Sequence, residues 1–203
     1  MIDFKLASQI KGFMDDEEAL LLYQTALKAA RSGALLEIGS YCGKSAYFIG
    51  VACKEKNSIL FSVDHHRGSE EQQIDQEYFD PDLFDEKANR INTFPLFEKT
   101  IKKASLDDVV VPIVAMSKIA GKMWSTPLSM LFIDGGHSLD DALEDYHTWE
   151  KHIVPNGFLV IHDIFFDPEK GGQAPRTLYE KACASGKYEK FAFEKTLGVL
   201  KRL

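Results

Sequence analysis

The chain is short of the residues that cross-link a fold, span a membrane or coat nucleic acid. Its 203 residues include three cysteines, Cys42, Cys53 and Cys183, widely spaced and without a C-x-x-C pair. That excludes a disulfide framework and a cysteine zinc site, and it fits a reducing compartment. No apolar run approaches the ~20 residues of a membrane span. No Lys/Arg cluster interleaved with aromatics is present, and 24 basic against 31 acidic residues give a formal net charge of -7. A general nucleic-acid binder carries a basic surplus or patch instead. The opening Met1-Ile-Asp-Phe-Lys5 shows no charged-then-apolar leader pattern, so the expected setting is the cytoplasm.

Nothing in the chain looks like a repeat, a low-complexity tract or a linker. Hydrophobic residues at 45% and charged residues at 27% are ordinary for a globular protein, and the length suits one domain with an unstapled core. The expected organisation is a single domain over 1–203. A leading helical segment fills 1–33 and an α/β core fills 34–203.

The stretch Ala34-Leu-Leu-Glu-Ile-Gly-Ser-Tyr-Cys-Gly-Lys-Ser45 organises the rest. It reads as an apolar strand, a glycine-punctuated turn and a helix start. Gly39 and Gly43 let the backbone turn sharply and let a ligand approach it. Such a turn in an open α/β sheet is a nucleotide or nucleoside site. A phosphate-binding P-loop needs four residues between its glycines before Lys-Ser/Thr, and Gly43-Lys44-Ser45 is one residue short. A dinucleotide fingerprint needs G-x-G-x-x-G, which Ser40 and Tyr41 do not supply. A carboxylate two residues before the first glycine, as Glu37 is to Gly39, suits a cationic ligand and repels a pyrophosphate.

In chain order, Asp15-Asp-Glu-Glu18 reads as a capping box opening a helix that stops at Gly33. Ile59–Val63 reads as a second buried strand ending at Asp64, placed to accept hydrogen bonds from ribose hydroxyls. The polar stretch from His65 to Pro81 follows at a strand's carboxyl end, where a lid or substrate-selecting wall is expected. Asp82 to Ala104 reads as helix, broken or kinked at Pro95. Val109–Val114 is a third strand, and Pro112 confines it to a sheet edge. Leu128–Ile133 is a fourth strand ending in Asp134-Gly-Gly-His137. The next helix should point Leu139, Leu143, Tyr146 and Ile153 inward, with Asp140, Asp141, Glu144 and Asp145 outward. Phe158–Ile161 is a fifth strand ending in His162-Asp163. Arg176 to Ser185 reads as the last helix. Lys187–Thr196 and Leu197–Leu203 are too close for a crossover, so they must pair antiparallel.

The E-x-G-x-x-x-G turn resembles the first motif of class I S-adenosylmethionine (SAM)-dependent methyltransferases. The later pattern, strand-Asp-Gly-Gly-His, acidic helix, Pro155-x-Gly157, strand-His-Asp, is similar to the small macrocin-type O-methyltransferases. The matches run from about Gly33 to Asp163. The resemblance implies a Rossmann-like, doubly wound, mostly parallel seven-stranded sheet, with helices on both faces and a C-terminal antiparallel hairpin. It implies a cofactor site of Glu37, Gly39, Ser40, Tyr41, Gly43, Ser45, Asp64, His65, Ser117 and Asp134, with Trp124 either near the adenine or simply cover. Asp134, His162 and Asp163 should converge, where they could bind Mg²⁺ or another divalent ion. The metal-dependent relatives carry paired acids at the fifth strand, and His162 replaces the first. A metal-free route in which His137 or His162 takes the proton is the alternative, with Asp134 beside them. The implied partner is a small-molecule acceptor, methylated on oxygen. Nucleic acid and membrane are not expected, and the oligomeric state stays open, a homodimer being one option. The rival readings are a nucleoside-binding protein of the same fold without transferase activity and, more distantly, a nicotinamide-dependent oxidoreductase.

Overall fold

The structure, a computed structural model, describes residues 2–76, 78–136 and 138–203. His137, one of the candidate bases, lies outside the described residues. Seven strands form one sheet: β1 (Ala34–Ile38), β2 (Leu60–Asp64), β3 (Val110–Val114), β4 (Leu128–Ile133), β5 (Ile153–Ile161), β6 (Tyr188–Glu194) and β7 (Leu197–Arg202). Their order is β3-β2-β1-β4-β5-β7-β6. The first five run parallel, and β7 pairs antiparallel with both β5 and β6. This is the expected doubly wound sheet with its closing hairpin. Pro112 sits on β3 at the sheet edge, where its missing N–H costs no ladder bond.

Seven α-helices accompany the sheet among the described residues: α1 (Phe4–Ala7), α2 (Asp16–Ala29), α3 (Lys44–Lys56), α4 (Phe94–Lys103), α5 (Ser117–Ala120), α6 (Leu139–Trp149) and α7 (Ala174–Ala184). Every residue of β4 is buried, as a parallel strand covered on both faces requires. Alternate residues serve opposite layers. Met130 and Phe132 join Leu22, Ala26, Phe48 and Ile49 under α2 and α3. Leu131 and Ile133 join Tyr146, Trp149 and Leu178 under α6 and α7. Leu22, Thr25, Ala26 and Ala29 form the buried stripe of α2 at helical spacing. No described helix is long and apolar enough to cross a membrane.

Two expectations need correction. The helix read over 82–104 begins only at Phe94, and Pro95 stands in its first turn, where a proline is tolerated, rather than kinking it. Upstream, the Asp85 carboxylate accepts from the Lys87 and Ala88 amides, and Asn89 takes φ +49. The chain there turns and closes a two-residue ribbon, Phe84–Asp85 against Arg90–Ile91. The second correction concerns α6, whose buried side is Ala142, Asp145, Tyr146 and Trp149. Leu139 is exposed and Asp145 is inside, so the helix is rolled relative to the apolar pattern.

Candidate active site

The site is set by strand register. Ile38, Ile133 and Ile161 are aligned across β1, β4 and β5, and Val63 of β2 is aligned with Ile38. The next residues of the four strands, Asp64, Gly39, Asp134 and His162, therefore emerge side by side at one edge. The ladder continues one step past them: the Gly39 amide donates to the Val63 carbonyl at 3.0 Å, the Asp134 amide to Ile38 at 2.9 Å, and the His162 amide to Ile133 at 3.2 Å. Carboxyl ends of neighbouring parallel strands are where open α/β sheets bind ligands.

Gly39 (φ +85) and Gly43 (φ +90) hold the turn in conformations that favour glycine. Gly39 also lies against the backbone of Asp134, so the glycine turn and the acid of β4 are in direct contact. Asp64 ties the turn from the other side. Its Oδ2 accepts from the Ser40 and Tyr41 amides, both at 2.9 Å, and its Oδ1 from the His66 amide at 2.7 Å. Beneath the turn lies Glu37, completely buried. One of its oxygens accepts from Ser45 Oγ at 2.8 Å and the other from Ser62 Oγ, which in turn meets Ser40 Oγ at 2.8 Å. The carboxyl expected to face a cationic ligand is thus bonded to three serines' network inside the protein.

At the β4–β5 side, Asp134, His162 and Asp163 each offer one ligand atom, and these atoms lie within 4.8 Å of one another. His162 Nδ1 is 3.1 Å from Asp134 Oδ1 and 3.5 Å from Asp163 Oδ1. Its Nε2 faces Glu18 Oε2 of α2 at 3.2 Å. Burial disfavours a charged ring, but the Asp134 charge, with hydrogen bonds to Asp134 and Glu18, outweighs it and carries the imidazole pKa up to about 11. Burial likewise opposes the Glu18 charge, and hydrogen bonds from His162 and Thr196 hold that carboxylate down at about 2.

A family model described as a methyltransferase domain matches residues 36–164. That span includes the glycine turn, Asp64, Asp134, His162 and Asp163. The chain belongs to this methyltransferase family. Solved structures of the same fold include an O-methyltransferase from Bacillus cereus in complex with SAH, 14% identical with a TM-score of 0.65, covering 100% of this chain and 92% of that one. The O-methyltransferase TomG from Streptomyces achromogenes, in complex with SAM, is 13% identical with a TM-score of 0.64, covering 94% and 81%. The SAH-bound methyltransferase PaMTH1 from Podospora anserina is 12% identical with a TM-score of 0.60, covering 98% and 93%.

Other residues of the methyltransferase singled out by sequence fall at varying distance from this centre. Ser117 stands at the start of α5, beyond β3, and its Oγ accepts from the Trp149 indole at 2.7 Å. Trp124 packs edge-on against Phe61 and Trp149 and donates to the Thr126 carbonyl at 2.7 Å, a covering role. His65 is half-buried, its Nδ1 accepting from the Arg67 amide at 3.0 Å. His147 is exposed and His152 half-buried.

Sequence reading did not find three other features. Glu18 was assigned only to a helix cap. Asp145 is buried beside Gly135, and burial pushes its carboxyl up to about 6 against the Ser117 hydrogen bond. His66 is buried, bonded through Nδ1 to Thr93 Oγ1 at 2.7 Å and packed against Phe94 and Phe97.

Glu37 gives this methyltransferase a pH signature. Burial pushes its pKa from 4.5 up to about 8, with Ser62 and Ser45 opposing and the Asp134 and Asp64 charges adding. A carboxyl raised on folding ionises first in the unfolded chain. Its contribution therefore lowers stability as pH rises from about 4.5 to about 8, by an amount on the order of a few kcal/mol. Urea unfolding across that range should show the decline, and Glu37→Gln should flatten it. An equal slope in both proteins would remove Glu37 as its source.

Proposed function

We propose that this methyltransferase moves the methyl group of SAM to an oxygen of a small-molecule acceptor. The observation that carries this is the contact between the Gly39 turn and Asp134: a glycine turn that could cradle a cofactor meets an acid-histidine cluster. The turn and Asp64 would hold the amino-acid and ribose portions. Membership of the methyltransferase family and fold neighbours solved with SAM or SAH support the cofactor.

The reaction is an in-line displacement. The acceptor oxygen bonds to the methyl carbon, the carbon–sulfur bond breaks, and the sulfonium leaves as neutral thioether in S-adenosylhomocysteine (SAH). The acceptor's proton must go to a protein group or to solvent. His162, held as an imidazolium, has no lone pair for it, so Asp134 is the better acceptor of that proton. Proximity supplies the rest, since both reactants are held at one sheet edge.

The donor set also fits a divalent ion. An imidazole nitrogen and two carboxylates suit a borderline metal, and a carboxylate on the far ring nitrogen is the usual outer partner of a metal-bound histidine. Asp134, Asp163 and His162 through Nδ1, once that nitrogen gives up its hydrogen, would hold it. Such an ion would act as a Lewis acid that lowers the pKa of the acceptor hydroxyl.

Calorimetric titration with SAH, with and without Mg²⁺ and alongside NAD and ATP, tests the reading. Micromolar binding of SAH alone among the three ligands is expected. Failure of SAH to bind under every condition would sink it.

A further inference from the structure

Glu18 does more than a helix cap requires. As the third residue of α2 it accepts from the Asp15 amide at 3.2 Å, which completes a capping box. Capping carboxylates sit at helix ends in water, whereas Glu18 is 3% exposed. Burying a carboxylate costs several kcal/mol unless donors surround it. Here the Thr196 amide and hydroxyl donate to Oε1 at 2.8 and 2.7 Å, and His162 Nε2 meets Oε2 at 3.2 Å. The last contact joins residues 144 apart in sequence and brings α2, which precedes the family match, onto the reactive edge.

The consequence is directional. An ionised carboxylate only accepts, so the His162 nitrogen facing it must carry a hydrogen. With Nε2 committed to Glu18, the ring cannot turn over without losing a buried hydrogen bond, and Nδ1 is left facing Asp134 and Asp163. That orientation is needed whether Nδ1 presents a hydrogen to Asp134 or a lone pair to a divalent ion. We propose that Glu18 is a positioning residue of the methyl-transfer site, fixing the rotation of the His162 ring from the N-terminal helix. The catalytic half of this inference rests on the methyltransferase reading above.

Glu18→Gln is the discriminating variant. Its amide oxygen can still accept from Thr196, which turns the NH₂ toward the Nε2 hydrogen and removes the hydrogen bond that holds the ring. In ¹⁵N-histidine-labelled full-length protein, the Nε2 resonance of His162, assigned by its loss in His162→Gln, should read as a hydrogen-bonded N–H in the wild type and move away from that position in Glu18→Gln. Turnover should fall ten- to a hundredfold, with KM for SAM and SAH affinity within about twofold. Thr196→Val, which removes one donor to Glu18 without touching His162, is the stability control. It should lower the melting temperature and leave both the Nε2 resonance and turnover unchanged.

An Nε2 resonance unchanged in Glu18→Gln would overturn the assignment. So would losses of turnover that track melting temperature equally in both variants. The nitrogen signature is read on resting protein, so it judges the Glu18–His162 contact separately from the reaction. A wild type that binds no SAH would instead overturn the methyltransferase reading, and the catalytic half of the inference with it.

Discussion

Gly39→Ala is expected to unfold the protein or to cost it at least about 4 kcal/mol. A Cβ at this position would stand 2.0 Å from the Asp134 carbonyl oxygen, 2.6 Å from its carbonyl carbon and 3.0 Å from the Gly135 nitrogen. All three are backbone atoms leaving a central strand, so no side-chain rotation relieves the clash. Ordinary overpacking costs about 1–3 kcal/mol because neighbours can move, and here they cannot move without breaking β1–β4 pairing. The φ of +85° adds roughly 1–2 kcal/mol for a residue bearing a Cβ. If the chain does fold, Asp134 must shift, and SAH affinity should fall more than tenfold. Gly43→Ala is the milder partner, since its Cβ would meet Thr100 and Phe97 side chains at 3.2 to 3.3 Å. Gly172→Ala meets nothing within 4 Å and serves as the neutral control. Urea denaturation of the three variants checks the ranking. A Gly39→Ala protein as stable as the Gly172→Ala control would show that the turn is not wedged against Asp134.

Most of the sheet was legible because its signals are local. Buried parallel strands read as unbroken apolar runs, and each run here ends at a polar residue that the register then aligns: Asp64, Asp134 and His162. Pro112 declared its strand an edge for the equally local reason that proline cannot donate. The failures share a different cause. Residues 82–93 carry helix-compatible side chains, and what ends the helix is the turn that the Asp85 carboxylate makes with the amides of residues 87 and 88. Asp145 was placed outside by charge alone, although burial beside Ser117 and Gly135 is decided by how α6 rolls on the sheet. Glu18 matched a capping box and the match was correct. Its other partners, Thr196 at Oε1 and His162 at the capping oxygen Oε2, come from segments that only the fold brings to it. The glycine turn illustrates the same limit at the site itself. The spacing of Glu37 and Gly39 pointed to a ligand-binding turn, but not that the carboxyl would lie underneath it among Ser45, Ser62 and Ser40.

Asp134→Asn should reduce turnover by about 10²–10⁴-fold while leaving SAH affinity within a few-fold of the wild type. The amide matches the carboxylate in shape, so the contact with the Gly39 turn, made through the backbone, survives. What disappears is the charge. An asparagine oxygen can accept from His162 Nδ1, now 3.1 Å from the carboxylate, but it cannot take the acceptor's proton, and it is a weak ligand for a divalent ion. Either way of assisting deprotonation is therefore lost in one change. The Asp134 charge is also the leading influence that raises the His162 pKa, so the imidazolium should deprotonate at lower pH in this variant. Asp163→Asn is the comparison to run beside it. Asn tolerates the φ of +58° that Asp163 adopts, and Asp163 is the more distant partner of His162 at 3.5 Å. The loss of turnover in Asp163→Asn should thus be smaller than in Asp134→Asn. Single-turnover measurements at saturating SAM separate chemistry from binding. If Asp134→Asn kept a tenth or more of the wild-type rate, the proton would have to leave by another group, and the role assigned to the acid at the end of β4 would be wrong.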